Sequence, residues 1–417
     1  MRKELRDGLI LRSLDEGYAT DQERLPTFYK DVFEEADDEP NTFDVWTKEL
    51  LRHPHMTLAD FFVVVDPAHD EKIVSAVLLI PQTWRYEDIE IPFGRIELVA
   101  TEKAYRRRGL VRELINAAHQ RSESLGHIMQ GITGIPHYYR QFGYAMTVDL
   151  GMKGSISLAV APRLKDDEQP KFTLRPATVD DIPNLVAMDD YHARNASLSV
   201  VWPAETWRFY LTERSDKATS FHMLVDAEGQ AVGYVGLASV EEDHTALYLR
   251  RCVVGSQSSY LTVFDDLMRA LKQHAAERSD RVVNIYFDSS LSDEWLMLLR
   301  YTATSKQSEN VYGWYLRLPD RAQFIQHIAP VLERRLKDSA AHRYTGEVSI
   351  GFYDFTFLQM NFEDGKLVKV ENGTVQDDTK LHGEMPYHTW LHMVFGQNTY
   401  REMQQVLPDV GLHRHAA

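Results

Sequence analysis

With 417 residues the chain is too long for one average core, and two to three domains are expected. Its 44% hydrophobic and 26% charged residues are those of an ordinary folded protein, while a net charge of −16 disfavours nucleic acid and anionic membranes and suits amines, or plain solubility. One cysteine, Cys252, rules out an intrachain disulfide; with no apolar leader core and runs such as 73–80 too short to cross a bilayer, a soluble cytoplasmic protein is expected.

In chain order, residues 9–12 read as a short strand. Residues 21–33 carry Leu25, Phe28, Tyr29, Val32 and Phe33 at helical spacing behind an acidic first turn, and 43–51 suit a second helix. The acidic run 34–39 between them reads as a solvated loop, or as a lure for a cation. Strands are expected at 61–65 and 73–80 around the polar turn DPAHDEK.

Residues 95–144 then give a strand over 95–101, a turn EKAYRRRG, and a helix with Leu110, Val111, Leu114, Ile115 and Ala118 on one face and Gly126 as its cap. A further strand and a tyrosine-bearing loop follow. Residues 147–158 read as a closing strand and 161–170 (APRLKDDEQP) as a linker.

At Phe172 the plan starts again: a strand and an acid-capped helix in FTLRPATVDDIPNLVAM, strands at 221–225, 231–238 and 247–254, and an amphipathic helix over 260–275. Trp202, Trp207 and Phe209 suit a core or a domain contact. From about residue 319 the pattern shifts to a helix at 324–336, strands at 347–357 and 367–371 (the latter after the turn FEDGK), and helices at 390–395 and 400–407.

The turn at 106–109 is where chemistry begins. A helix N-terminus offers unpaired N–H groups and the positive end of its dipole to an anion. Gly109 lets a ligand approach the backbone, and Arg106, Arg107 and Arg108 add charged donors for phosphate oxygens. The same residues also suit a solvated basic turn. A tyrosine, with a pKa of about 10, stays protonated at neutral pH and can give its proton to a leaving group.

Arg106-x-x-Gly109-x-Val111 resembles the R/Q-x-x-G-x-G/A acetyl-CoA motif of the GNAT superfamily of N-acetyltransferases, with Val111 where Gly or Ala is usual. Tyr138 and YRQFGY (139–144) resemble that superfamily's second signature, aromatic-Tyr-x-x-x-Gly-aromatic. The RRRGL-[apolar]-R run is similar to the Eis-type (enhanced intracellular survival) branch, and RPAT-x-[DE]-D at 175–181 resembles a usual GNAT opening.

The resemblance implies an α/β (α+β) fold class: tandem GNAT folds with mixed central sheets, then an α+β sterol carrier protein-like domain. Domains are expected at 1–158 (acetyl-CoA binding and catalytic), 172–318 (its turn VVGSQSSYL without the cofactor motif) and 319–417. It further implies acetyl-CoA as co-substrate, a small cationic or lysine amine as acceptor, no metal, and a homo-oligomer, a hexamer being the family's form.

By the same resemblance Tyr139 is the general acid, with Tyr138 left to packing. Leu98, Val99 and Ala100 offer backbone to the pantetheine arm; Arg106, Arg107, Arg108, Gly109, Leu110 and Val111 hold the pyrophosphate; Gly134 and Ile135 sit at the strand splay. The base is left among Glu97, the C-terminal carboxylate of Ala417, and water. His388 and His392, four apart in HTWLH, lack the Glu of metalloprotease chemistry and read as plain polar residues; His413 and His415 lie in a tail. Two other functions fit: a ligand carrier built on degenerate GNAT domains, or an acyltransferase for longer acyl-CoA.

Overall fold

The structure, a computed structural model, describes residues 1–412 except 18, 38–40, 151–153, 166, 195, 214–218, 240–245, 279–281, 288–294, 296, 299–305, 308–312 and 378. Two compact units emerge: residues 1–148 with 197–200 and 314–417, and residues 149–196 with 201–313.

The first unit opens with strands β1 (Arg2–Glu4) and β2 (Ile10–Ser13), helices α1 (Ala19–Asp37) and α2 (Phe43–Leu50), and strands β3 (Phe61–Asp66), β4 (Lys72–Tyr86) and β5 (Ile89–Thr101). Helix α3 (Leu110–Ser124), β6 (Met129–Ile132) and β7 (Ala145–Asp149) follow. The sheet order is β1-β2-β3-β4-β5-β6-β16-β7, where β16 is Gly313–Arg317. A further strand, β10 (Leu198–Val201), pairs with β4. Strands β1 to β5 run antiparallel and β5 pairs parallel with β6, so the sheet is mixed. The reason is burial: FFVVVD in β3 is buried at every position, which only a strand covered on both faces allows. Helix α3 covers one face through Leu110, Leu114, Ile115 and Ala118, and α1 covers the other through Leu25, Phe28, Tyr29 and Val32.

The β4–β5 hairpin is longer than expected. Its outer half places Trp84, Tyr86, Ile91 and Phe93 in one core with Phe324, Ile328, Trp390 and Phe395. Its tip turns at Glu87 (φ 52°), where Arg335 bonds the Glu87 carboxylate at 2.6 Å, and the Tyr86 hydroxyl donates to the Val394 carbonyl at 2.7 Å.

The C-terminal part of this unit has its own sheet, β19-β18-β17-β20-β21, from β17 (Gly346–Phe352), β18 (Thr356–Glu363), β19 (Lys366–Thr374), β20 (Gly383–Glu384) and β21 (Gly411–Leu412). The helix expected at 324–336 is two, Arg321–His327 and Ala329–Lys337, because Pro330 sits in the first turn of the second and cannot continue the first. The strand expected at 347–357 is β17, a turn with Phe355 at φ 64°, and the start of β18. The FEDGK turn is as expected, with Asp364 and Gly365 both at positive φ. Two further helices, Tyr387–Val394 (here α9) and Tyr400–Val406, complete it; between α3 and α9 lie α4 to α8, which are Ile182–Ala193, Ala204–Thr212, Tyr260–Arg278, Arg321–His327 and Ala329–Lys337.

The second unit's sheet runs β15-β8-β14-β13-β12-β11-β9, with β8 at Gly154–Ser157, β9 at Phe172–Pro176, β11 at Ser220–Asp226, β12 at Ala231–Ser239, β13 at Ala246–Val254, β14 at Asn284–Phe287 and β15 at Lys306–Gln307. The single closing strand expected at 147–158 is thus two strands in different sheets: β7 in the first, and β8 antiparallel to β14 in the second. Ile156 and Leu158 are buried among Leu247, Ile285 and Phe287, which fixes β8 there. Trp207 is buried in this unit's own core, and Phe209 is buried with its ring 5.8 Å from that of Tyr210. Tyr234 and Arg251 both donate to Asp189 Oδ1, and the Arg251 guanidinium lies 4.1 Å from the Trp202 ring centroid.

Candidate active site

The site follows from how β5 leaves its neighbours. Parallel pairing with β6 stops at Ile96↔Ile132, and β6 ends there. On the other side β5 shifts register between Ala76↔Ala100 and Leu78↔Glu97, one extra residue on β5, with Leu98 at φ 52°. A β-bulge bends and twists a strand and re-aims its backbone. The two strands therefore splay, and Leu98, Val99 and Ala100 run along the opened side beyond the last parallel pair. An extended ligand arm can pair with such a backbone as an added strand does.

At the far end of the splay stands the arginine turn. Gly109 has φ 79°, and a Cβ there would meet nothing within 4 Å, so it is the left-handed backbone and not lack of room that asks for glycine. The first intrahelical bonds run from Arg112 and Glu113 to the Gly109 carbonyl, leaving the N–H groups ahead of them to face a ligand. Arg106, Arg107 and Arg108 are exposed beside these groups, whereas Leu110 is buried and Val111 half-buried. Arg106 Nε also holds the Thr101 carbonyl at 3.1 Å, tying the turn to the end of β5. Arg108 lies 4.8 Å from the Tyr105 ring, whose hydroxyl donates to Asp66 at 2.7 Å; this bond raises the Tyr105 pKa.

Beyond β6 the chain passes Gly134 (φ 142°) and exposed Ile135 into a short helical turn, Tyr138–Phe142, between left-handed His137 and Gly143. Tyr139 is buried here, and a Cβ on Gly134 would lie 3.1 Å from its hydroxyl oxygen, so the phenol end sits against Gly134 at the mouth of the splay. Tyr138 is half-buried, its ring 5.2 Å from that of Tyr139, and burial raises its pKa. Tyr144 is fully buried and bonds His119 Nε2 at 2.7 Å, a core contact.

Glu97 is brought to the same strand but not to the same face. Tyr139 packs with Ile96, Leu110 and Ile132 on the α3 side, whereas Glu97 raises the pKa of the buried Tyr29 of α1, second to burial itself. Arg95 holds Glu97 Oε1 through Nε at 2.8 Å and through its terminal nitrogen at 2.6 Å. The tip of the acidic run at 38–39, and Ala417, lie outside the described residues.

Two residues to which the sequence gives no role support the turn of Tyr139. Tyr315 of β16 accepts from the His137 N–H at 2.8 Å across 178 residues of sequence, and its ring stands 6.1 Å from that of Tyr139. Arg112 of α3 donates to Gln141 at 2.7 Å and covers the Phe142 ring at 5.2 Å. Arg112 is the last residue of the RRRGL-[apolar]-R run, though its contact with Gln141 is not readable there; no local signal marks Tyr315. No group of three or more His, Cys, Asp or Glu suited to a metal occurs among the described residues. No helix among them is long and apolar enough to cross a membrane.

Residues 18–147 match the family described as acetyltransferase (GNAT) domain. No curated protein matches the chain. Among solved structures, a GCN5-related N-acetyltransferase from Anabaena variabilis aligns with 97% of this chain and 95% of its own at 14% identity and a TM-score of 0.67. Eis1 from Mycobacterium abscessus aligns over 97% and 94% at 14% identity with a TM-score of 0.61, and a GCN5-related N-acetyltransferase from Kribbella flavida over 97% and 94% at 17% identity and 0.61. The chain thus carries a GNAT acetyltransferase domain in its first unit, and along nearly its whole length it has the fold of those N-acetyltransferase structures.

Proposed function

We propose that the chain moves an acetyl group from acetyl-CoA to a primary amine of a small cationic molecule or a lysine. Support comes from three features of one packed neighbourhood: the β5 bulge with Leu98 at positive φ, the left-handed Gly109 ahead of α3, and the Tyr139 ring, packed with Leu110 and set against Gly134. On this reading Leu98, Val99 and Ala100 pair with the pantetheine arm, and residues 106–111 hold the pyrophosphate with N–H groups and arginines. The amine nitrogen forms a bond to the thioester carbon, the carbon–sulfur bond breaks, and Tyr139 gives its proton to the departing thiolate. Glu97 takes the proton lost by the amine, through the carboxylate oxygen that Arg95 does not hold or through a water on it. The net charge of −16 favours a cationic acceptor in solution.

The residues from 319 onward are assigned a sterol carrier protein-like fold, and the chain a homo-oligomeric, cytoplasmic state, on the resemblance to Eis-type enzymes. Calorimetry with acetyl-CoA tests the reading. Micromolar-range binding by the wild type, lost in Arg108→Ala/Gly109→Asp, supports it; a wild type that does not bind acetyl-CoA overturns it and leaves the carrier reading.

A further inference from the structure

The segment that bears Tyr139 joins β6 to β7, yet these strands are not neighbours. β16 lies between them, so residues 133–144 must pass from one side of β16 to the other. At the centre of that passage is one short helical turn, Tyr138–Phe142, entered at His137 with φ 63° and left at Gly143 with φ 87°. Such pieces carry poor internal hydrogen bonds. Three main-chain bonds around it are long beside the usual distance of about 2.9–3.0 Å: Tyr138 N–H to the Ile135 carbonyl at 3.3 Å, Arg140 N–H to the His137 carbonyl at 3.3 Å, and Tyr144 N–H to the Tyr139 carbonyl at 3.4 Å. A left-handed residue other than glycine persists only where its surroundings over-determine it. His137 needs a tie from outside the turn.

β16 provides it. Tyr315 stands opposite Ile132, the last residue of β6, and its hydroxyl accepts from the His137 N–H at 2.8 Å. The Tyr315 ring is buried in one core with Tyr139, Leu110 and Ile132, 6.1 Å from the Tyr139 ring. Two residues on, Arg317 meets the other end of the turn: a Cβ on Gly143 would lie 3.5 Å from its Nε, while its terminal nitrogen donates to Gln130, its partner across β6. A phenylalanine at 315 would fill the same place in the core. What the hydroxyl adds is the bond to His137.

We propose that Tyr315 is a positioning residue: its hydroxyl fixes the left-handed entry of the turn, with Arg317 packed at the exit, and so sets where the Tyr139 hydroxyl stands. The kinetic part of this inference rests on the acetyl-transfer reading above; the structural part does not. A strand that carries no part of either motif thereby becomes a bracket for the acid.

The test uses the full chain with Tyr315→Phe, alone and in a Tyr139→Phe background. Expected for Tyr315→Phe alone are a fall in kcat on the order of fivefold to fiftyfold and an acetyl-CoA KM within about twofold. Hydrogen exchange of the His137 amide rises at least about fivefold, with the α3 amides unchanged. In the Tyr139→Phe background, where the group being positioned has lost its proton, Tyr315→Phe lowers kcat by less than about twofold further, because residues that act as a unit are not additive. Wild-type exchange at His137 overturns the proposal whatever the turnover. So does a wild-type kcat in Tyr315→Phe of an active enzyme, or a full second loss in the double variant. A wild type that acetylates no amine defeats the functional reading, and the His137 amide then decides the bracket by itself.

Discussion

The two units repeat one device and differ in what is attached to it. In the first, β5 gains a residue against β4 just past its last parallel pair with β6, and the opened backbone leads to the arginine turn. In the second, β13 gains a residue between Leu249 and Arg251 just past its last parallel pair, Tyr248↔Tyr286 with β14. The turn after β13 reads GSQSS where the first unit has arginines and glycine. The α4–α5 side of β13 also differs, because Arg251 lies there against Trp202 with Asp189 and Tyr234 bound to it. Splay and bulge are products of sheet packing and persist without a ligand; a phosphate-binding turn is not needed for packing and is free to change. Shape alone therefore does not assign cofactor binding to a GNAT-like sheet.

The sharpest break between the units is expected in turnover. Tyr139→Phe should lower kcat by roughly 10²- to 10⁴-fold with little change in the acetyl-CoA KM, whereas Tyr286→Phe in the second unit should leave both within about twofold. Steady-state kinetics with one amine acceptor decides; equal effects would erase the distinction.

Next in size is the caged arginine. Arg251→Met strands Asp189 in a mostly buried setting and should destabilise the second unit by about 3–5 kcal/mol, read by denaturant titration, with acetyl-CoA affinity unchanged. A loss of acetyl-CoA affinity in that variant would place ligand binding in the second unit.

Acid should weaken the first unit selectively. Burial, helped by the Arg317 charge, lowers the His119 pKa to about 3, and burial lowers that of His127 to about 4 against the opposing pull of Asp60. Both stay neutral in the fold, while the unfolded chain takes up protons below about pH 6.5. Stability is thus full above that value and falls as pH drops towards 4, by about 2 kcal/mol for each histidine at pH 5. Thermal melts at pH 7 and pH 5 measure it, and His127→Asn should flatten the slope.

The smallest effect is a control on the second turn. Ser256→Ala/Gln257→Ala should change acetyl-CoA affinity by less than about twofold in calorimetry, against its loss on altering Arg108 and Gly109.

Most elements were legible because their cause is local. The buried run at 61–66, the 110–118 helix face and the FEDGK turn each follow from side chains within a few positions. The arginine turn and Tyr139 were legible because a short motif carries them. What was not legible depends on distant partners. Gly154–Ser157 joins the second sheet because Leu247 and Ile285 bury Ile156, and the outer β4–β5 hairpin exists because Phe324 and Trp390 cover it. Tyr315 reaches the turn of Tyr139 from remote sequence, and it lies in no pattern that announces it. For Glu97 the strand was legible, but its ion pair with Arg95 and its nearness to Tyr29 came only with the register.

The place of β16 has a consequence for the order in which the molecule is made. The strand that separates β6 from β7, and that brings Tyr315 to the turn, is Gly313–Arg317, while both its neighbours are translated before residue 150. A nascent chain that has left the ribosome with only its first 150 residues holds the whole arginine turn and Tyr139 and yet has a gap in its sheet, with the β6 and β7 edges bare. Bare edges recruit other strands. The domain translated first is therefore among the last to be finished.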